Sequence, residues 1–236
     1  MNSKVSIILT LYEIKLEYVK ECLQSILNQT YKNFEVICMD DCSPTIDYSE
    51  ITKLSNKIKL YRNEKNLGLM KTVNKAFSLA TGDYIVRLGS DDFFHKTLLE
   101  KEVKVLDNNQ RYGAVCCELK RFGLKEQIIK RPAFWSLHNA LGKGMKGCGY
   151  AGGMMFRKKL LKYVKIDESL KVCEDYDFHL QLLEITYIKS IHEILYFYRS
   201  HETNIMKTVE KSDRWDIINK IKDKFKHRYK YKFPIH

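Results

Sequence analysis

Residues 5–11 read VSIILTL and residues 34–41 read FEVICMDD. Both open as apolar runs of strand length, and between them Leu16, Val19, Leu23, Ile26 and Leu27 recur at intervals of three and four. Strand, amphipathic helix and strand in that order make a βαβ unit with parallel strands. Working outward, a short third strand is expected at Lys57 to Tyr61 and a fourth at Tyr84 to Leu88. A helix from Leu69 to Ala80 precedes the fourth and stops at Gly82, the usual place for a left-handed cap. Beyond Asp92 the pattern mixes helices around Leu98 to Asp107 and Glu174 to Leu183 with strands at Ala114 to Leu119, Met154 to Arg157, Tyr187 to Ile191 and Ile194 to Arg199. The expected class is α/β: a mostly parallel central sheet flanked by helices, with a mixed second half. Residues 1–206 form one domain of two halves, 1–92 and 93–206, and 207–236 form a basic helical tail.

The chain has 236 residues, enough for one large domain without disulfide or metal support. Its 30% charged residues and only 3 Pro place it among globular proteins. No apolar run approaches the ~20 residues that span a bilayer, and Met1 to Lys4 lead into a strand without the layout of a secretion signal, so a cytoplasmic chain is expected. The seven cysteines show no zinc spacing and read as reduced, small apolar residues. With 41 basic against 29 acidic residues the net charge is +12, which favours anionic partners. Much of that excess sits in the tail, where Trp215, Ile217, Ile218, Ile221 and Phe225 make an apolar stripe on a lysine-rich helix. Such a stripe serves equally to dock on the body or to lie on an anionic membrane at the inner face. No nucleic-acid motif accompanies the charge.

Open sheets of this kind bind ligands beyond the carboxyl ends of their strands. The loops there hold Thr10 to Glu13, Asp40 to Ser43, Asn63 to Gly68 and Gly89 to Asp92. Adjacent acids at two of these ends repel one another and any phosphate unless a divalent cation reverses the local charge; Asp also favours turns and helix caps. Residues 142–147 fit G-x-G-x-x-G, yet they follow an expected helix rather than a buried strand, so no dinucleotide site is expected. They read as a flexible loop, with Gly152 and Gly153 leaving space for a ligand.

The segments VSIILTLYE, SILNQTYKNFEVICMDDCSP and NLGLMKTVNKAFSLATGDYIVRLGSDD, followed by GGMMFRKKLL and CEDYDFHLQLL, resemble in order and spacing the family 2 glycosyltransferases of the GT-A (Rossmann-like) fold. The resemblance runs over about residues 4–201. It implies a metal-dependent, inverting, hexosyltransferase-type enzyme moving a sugar from a nucleotide-sugar donor, a UDP-sugar, to a hydroxyl of a glycan or lipid-linked acceptor in cell-surface polysaccharide or lipo-oligosaccharide synthesis. It implies Thr10 and Tyr12 beside the base, Glu13 near the ribose, Asp40 accepting from a ring N–H, Asn66 and Gly68 in the N-x-G turn, and Lys71 near the diphosphate. Asp91 matches the acid that holds Mn²⁺ or Mg²⁺, Ser90 a ribose contact, and His201 a further metal ligand. Asp92 is expected to cap the next helix or hold a metal-bound water. Glu174 matches the first acid of the family's acceptor-side ED pair and Asp175 its general base. The family's first metal-motif acid is replaced here by Gly89, which leaves a non-catalytic nucleotide-binding or scaffold protein of the same fold as the alternative.

Overall fold

The computed structural model describes residues 2–132, 135–143, 152–204 and 210–232. Strand β1 (Val5–Leu11) is followed by α1 (Leu16–Leu27), β2 (Phe34–Asp40), a 3₁₀ turn (Ser49–Leu54), β3 (Ile58–Arg62), α2 (Leu69–Leu79) and β4 (Tyr84–Arg87). Then come β5 (Phe93–Phe94), α3 (Leu98–Asn108), β6 (Tyr112–Gly123), β7 (Gln127–Ile129), α4 (Leu137–Lys143), β8 (Met154–Arg157), a 3₁₀ turn (Lys158–Lys162), α5 (Glu174–Ile185), β9 (Tyr187–Ser200) and α6 (Lys211–Lys232). Among the described residues all nine strands join one sheet, in the order β3-β2-β1-β4-β8-β6-β9-β5, with β7 paired to β6. The first four are parallel, β8 runs antiparallel between β4 and β6, and β6 and β9 are again parallel.

β1 and β2 are buried along nearly their whole length because both sheet faces are covered. Ile8, Ile37, Met39 and Ile85 face α2, α5 and α6, while Val5, Ile7, Leu9, Val36, Cys38 and Val86 face α1 and α3. The two-residue period of each strand thus feeds two cores at once. Five described cysteines are buried among these side chains, and burial pushes the Cys38 thiol up to about 12 and Cys116 to about 11, which keeps them protonated.

Some expectations need correction. Gly82 is not a left-handed cap: α2 ends in extended backbone at Ala80. Glycine is required at 82 because a Cβ there would lie 2.7 Å from the Lys4 carbonyl and the Ser6 nitrogen, where the chain passes under β1. The two last strands expected from sequence are one, β9, whose pairing with β6 skips from Ile191 to Ile194 across a bulge. The direction a Cβ would take from Gly152 is filled by the Tyr196 ring, within 2.5 Å, and Gly153 meets Cys117 and the same ring, so both glycines serve close packing; Gly152 also lines the cavity described below. The loop expected at 142–147 lies mostly outside the described residues, from 144 onward. In the tail, Ile218, Ile221 and Phe225 are buried against the body, whereas Trp215 is 51% exposed, so most of the stripe is used in docking. Among the described residues no helix is long and apolar enough to cross a membrane.

One residue of α3 opposes the fold. Glu102 is fully buried among Leu98, Leu99, Val103 and Leu106, and neither carboxylate oxygen has a hydrogen-bond partner. Burial holds its carboxyl well above the ordinary range, only partly offset by Arg131. A carboxyl whose folded pKa is raised supports the fold fully below its unfolded pKa and loses that support as pH climbs through the folded value. Replacing Glu102 by Gln should therefore stabilise the protein by about 1–3 kcal/mol near neutral pH. The gain should shrink as pH falls toward roughly 4.3, the unfolded value. Urea unfolding at pH 5 and pH 8 checks this, and an equal difference at both pH values would contradict it.

Candidate active site

The carboxyl ends of β1, β2 and β4, the N-termini of α2 and α5, and the far end of β9 surround a cavity of about 560 Å³. Thr10, Tyr12, Asn66, Gly68, Ser90, Asp91, Glu174, Asp175 and His201 all line it. These residues come from distant parts of the chain, and the sheet order brings them together. Tyr12 is 47% exposed on the cavity wall, an unburied aromatic face beside Thr10 and Asn66.

Three expected residues lie elsewhere. Asp40 ends β2 on the opposite side, where its carboxylate accepts the Ser43 N–H and hydroxyl at 3.0 and 2.7 Å and pairs with Arg62. Its neighbour Asp41, one residue on and so turned to the other face, is the acid at the cavity. Asp41 accepts N–H groups from Asn63, Leu67 and Gly68, each at 2.8 Å, and so shapes the turn before α2. Gly68 enters α2 at φ 84°, a value that glycine adopts without strain. Glu13 points away from the cavity to Thr45, whose N–H and hydroxyl hold its carboxyl below the ordinary range. Lys71 is exposed on α2, outside the cavity wall.

The acidic loop after β4 is held from below by β9. Asp92 does not cap α3, whose N-cap position is Thr97 and carries no side-chain cap. It is 3% exposed, accepts the Arg199 N–H at 2.7 Å and the Tyr196 hydroxyl, and burial beside Asp91 pushes its carboxyl well above the ordinary range. Tyr196 in turn accepts the Gly89 N–H at 3.2 Å. The Arg199 guanidinium donates to the Asp91 carbonyl at 2.8 Å, pairs with Glu21 of α1 and lies over the Tyr18 ring.

Asp91 meets His201 directly: Oδ2 and Nε2 are 2.7 Å apart, and His201 Nδ1 is 2.9 Å from the Thr203 hydroxyl. Among the described residues no group of three or more His, Cys, Asp or Glu side chains is arranged to hold a metal ion. A carboxylate oxygen and an imidazole nitrogen in contact on a cavity wall nonetheless fit a divalent cation that takes its remaining oxygens from a bound diphosphate and water.

At the start of α5, Glu174 and Asp175 project from a turn that follows Cys173 in the left-handed region at φ 64°. Glu174 is held by Arg87 of β4 at 3.3 Å, and burial raises its carboxyl against that cation. Asp175 Oδ1 accepts the Tyr176 N–H at 2.8 Å. Asp41 entered the sequence reading only as the neighbour of Asp40 in an acidic pair, while Arg87, Tyr196, Arg199 and Asn204, whose amide lies 3.4 Å from Asp91 Oδ2, were not singled out. Arg87 alone had a plain signal, a charge inside the apolar strand YIVRL.

Residues 6–164 match the profile of glycosyl transferase family 2. An uncharacterized glycosyltransferase of Methanocaldococcus jannaschii is 32% identical over 213 residues, covering 83% of this chain and 70% of that protein. One from Haemophilus influenzae is 29% identical over 212 residues, covering 84% and 65%. Among solved structures, S. aureus TarS 1-349 in complex with UDP-GlcNAc superposes with a TM-score of 0.73 at 24% identity, over 88% of this chain and 61% of that one. The mannosyltransferase PcManGT of Pyrobaculum calidifontis, in complex with GDP-Man and Mn²⁺, does so at 0.69 and 16% identity, over 87% and 59%. These two likenesses concern the fold. The chain spans about two thirds of the length of these two relatives, and less than half of some others, such as the 43% of a putative glycosyltransferase of Bacillus subtilis. With the family profile matched over more than half its length, this protein belongs to glycosyl transferase family 2.

Proposed function

We propose that the protein transfers a sugar, with inversion, from a UDP-sugar to a hydroxyl of a glycan or glycolipid acceptor, with the help of Mn²⁺ or Mg²⁺. The observation that carries this is that Tyr12, Asp41, Asp91, His201 and Asp175 wall one and the same cavity. Thr10 and Tyr12 flank the base, Ser90 contacts the ribose, and Asp41 is the acid available to it. A carboxylate offers about four acceptor positions; three N–H groups occupy Asp41, which leaves one. One acceptor suits the single imide N–H of uracil better than the two N–H donors on the guanine edge. Asp91 and His201 would hold the cation, which when bound neutralises charge on the diphosphate leaving group.

Asp175 receives the acceptor hydroxyl's proton as that oxygen bonds to the anomeric carbon on the face opposite the diphosphate. Arg87 holds Glu174 beside it. Polysaccharide or lipo-oligosaccharide synthesis at the cell surface is the setting in which such acceptors arise.

A thermal-shift panel tests the donor side, because a ligand that binds the folded state raises its apparent stability. UDP-GlcNAc should stabilise the protein more than GDP-mannose does. The increment should need Mn²⁺ and vanish in Asp91→Ala. Equal stabilisation in excess chelator contradicts the metal assignment, and binding without release of UDP in the presence of acceptors favours a non-catalytic protein.

A further inference from the structure

The first turn of α5 carries three acids, Glu174, Asp175 and Asp177. A helix N-terminus favours negative charge, but three carboxylates in one turn also repel one another. Glu174 is matched by Arg87, and Asp177 by Lys224 of α6, whose Nζ lies 2.9 Å from Asp177 Oδ1. Asp177 is 1% exposed, and a buried carboxylate without a partner is strongly unfavourable. Its other oxygen accepts from Gln181. Lys224 also reaches Asp167 at 3.2 Å, so it joins the segment before α5 to the turn itself. The lysine is delivered by a fixed support, because Ile218, Ile221 and Phe225 bury the same helix face in the core. Both helices lie beyond the residues matched by the family profile.

We propose that Lys224 is a positioning residue: from the tail helix it fixes the first turn of α5 and so the direction in which Asp175 faces the cavity. This rests on the reading of Asp175 as the base. Removing the ammonium leaves Asp177 buried and uncompensated one turn from the reacting atoms, and the turn relaxes toward water. Asp175 moves with it. Small displacements of a reacting group are costly in rate even when binding is intact.

The test uses the full chain with Lys224→Met, Lys224→Arg and the double variant Asp177→Asn/Lys224→Met. In Lys224→Met, kcat should fall about 10- to 100-fold, while the Kd for UDP with Mn²⁺, read by calorimetry, stays within about two-fold. Hydrogen exchange in the peptide covering residues 173–178 should accelerate. Lys224→Arg should restore both, and so should the double variant, which removes the stranded charge. A merely structural contact would lower the melting temperature and leave kcat, measured below it, unchanged. Wild-type kcat or wild-type exchange in Lys224→Met overturns the proposal. Full turnover in Asp175→Asn would instead remove the base assignment, and exchange at residues 173–178 would then decide whether Lys224 holds the turn.

Discussion

Asp175→Asn is expected to lower kcat by about 10²- to 10⁴-fold, the usual contribution of a general base, with UDP affinity unchanged. The substitution keeps the shape of the side chain and its contact with the Tyr176 N–H, an Asn oxygen accepting where a carboxylate oxygen did. What is lost is the ability to take a proton. Because the acceptor oxygen gives up its proton only as the new bond forms, the defect belongs to the transition state and should appear in kcat and kcat/KM alike. Calorimetry with UDP and Mn²⁺ beside steady-state kinetics separates the two effects. A matching loss of nucleotide affinity would mean that Asp175 serves binding, and unaltered turnover would remove it from the chemistry.

Restoring the family's missing acid should harm the enzyme. A Cβ at Gly89 would sit 2.4 Å from Asp92 Oδ2 and 3.0 Å from Asp91 Oδ1. The tip of an aspartate ordinarily swings away at little cost, but Asp92 is buried and held by Tyr196 and the Arg199 N–H. Gly89→Asp must break that arrangement and adds a third carboxylate to a loop where burial already raises the second. We expect a stability loss of about 1–3 kcal/mol and a fall in turnover of about 100-fold as Asp91 shifts. Gly89→Ala, which brings the same Cβ without the charge, divides the steric from the electrostatic part. Improved Mn²⁺ affinity in Gly89→Asp would show that the loop has room after all.

The parallel half of the sheet was legible because β1, β2 and β4 are mostly apolar runs of strand length, as burial on both faces demands, separated by a helix with apolar residues at intervals of three and four. β9 was not legible as one strand: His192 and Glu193 interrupt its pattern where the bulge lets them leave the ladder. Asp40 and Asp41 cannot be told apart without the pleat, since a single step along a strand reverses the face. Glu13 and Lys71 sit near the right loops in sequence, yet Thr45 takes one and solvent the other. The partnership of Asp91 with His201 has no local signature. It reached the sequence reading only through family resemblance, because strand order in space, not spacing along the chain, creates it.

That partnership also dates the site within the life of the molecule. Its two donors are 110 positions apart, and the second stands just past the last strand of the sheet. A chain still emerging from the ribosome has made the cavity wall of β1, β2 and β4 long before it owns the imidazole. On the proposed reading, competence for cation capture therefore arrives late in synthesis, and a cut anywhere between β4 and His201 that lets the fragments part would leave the cavity wall with only one of the two residues proposed to hold the ion.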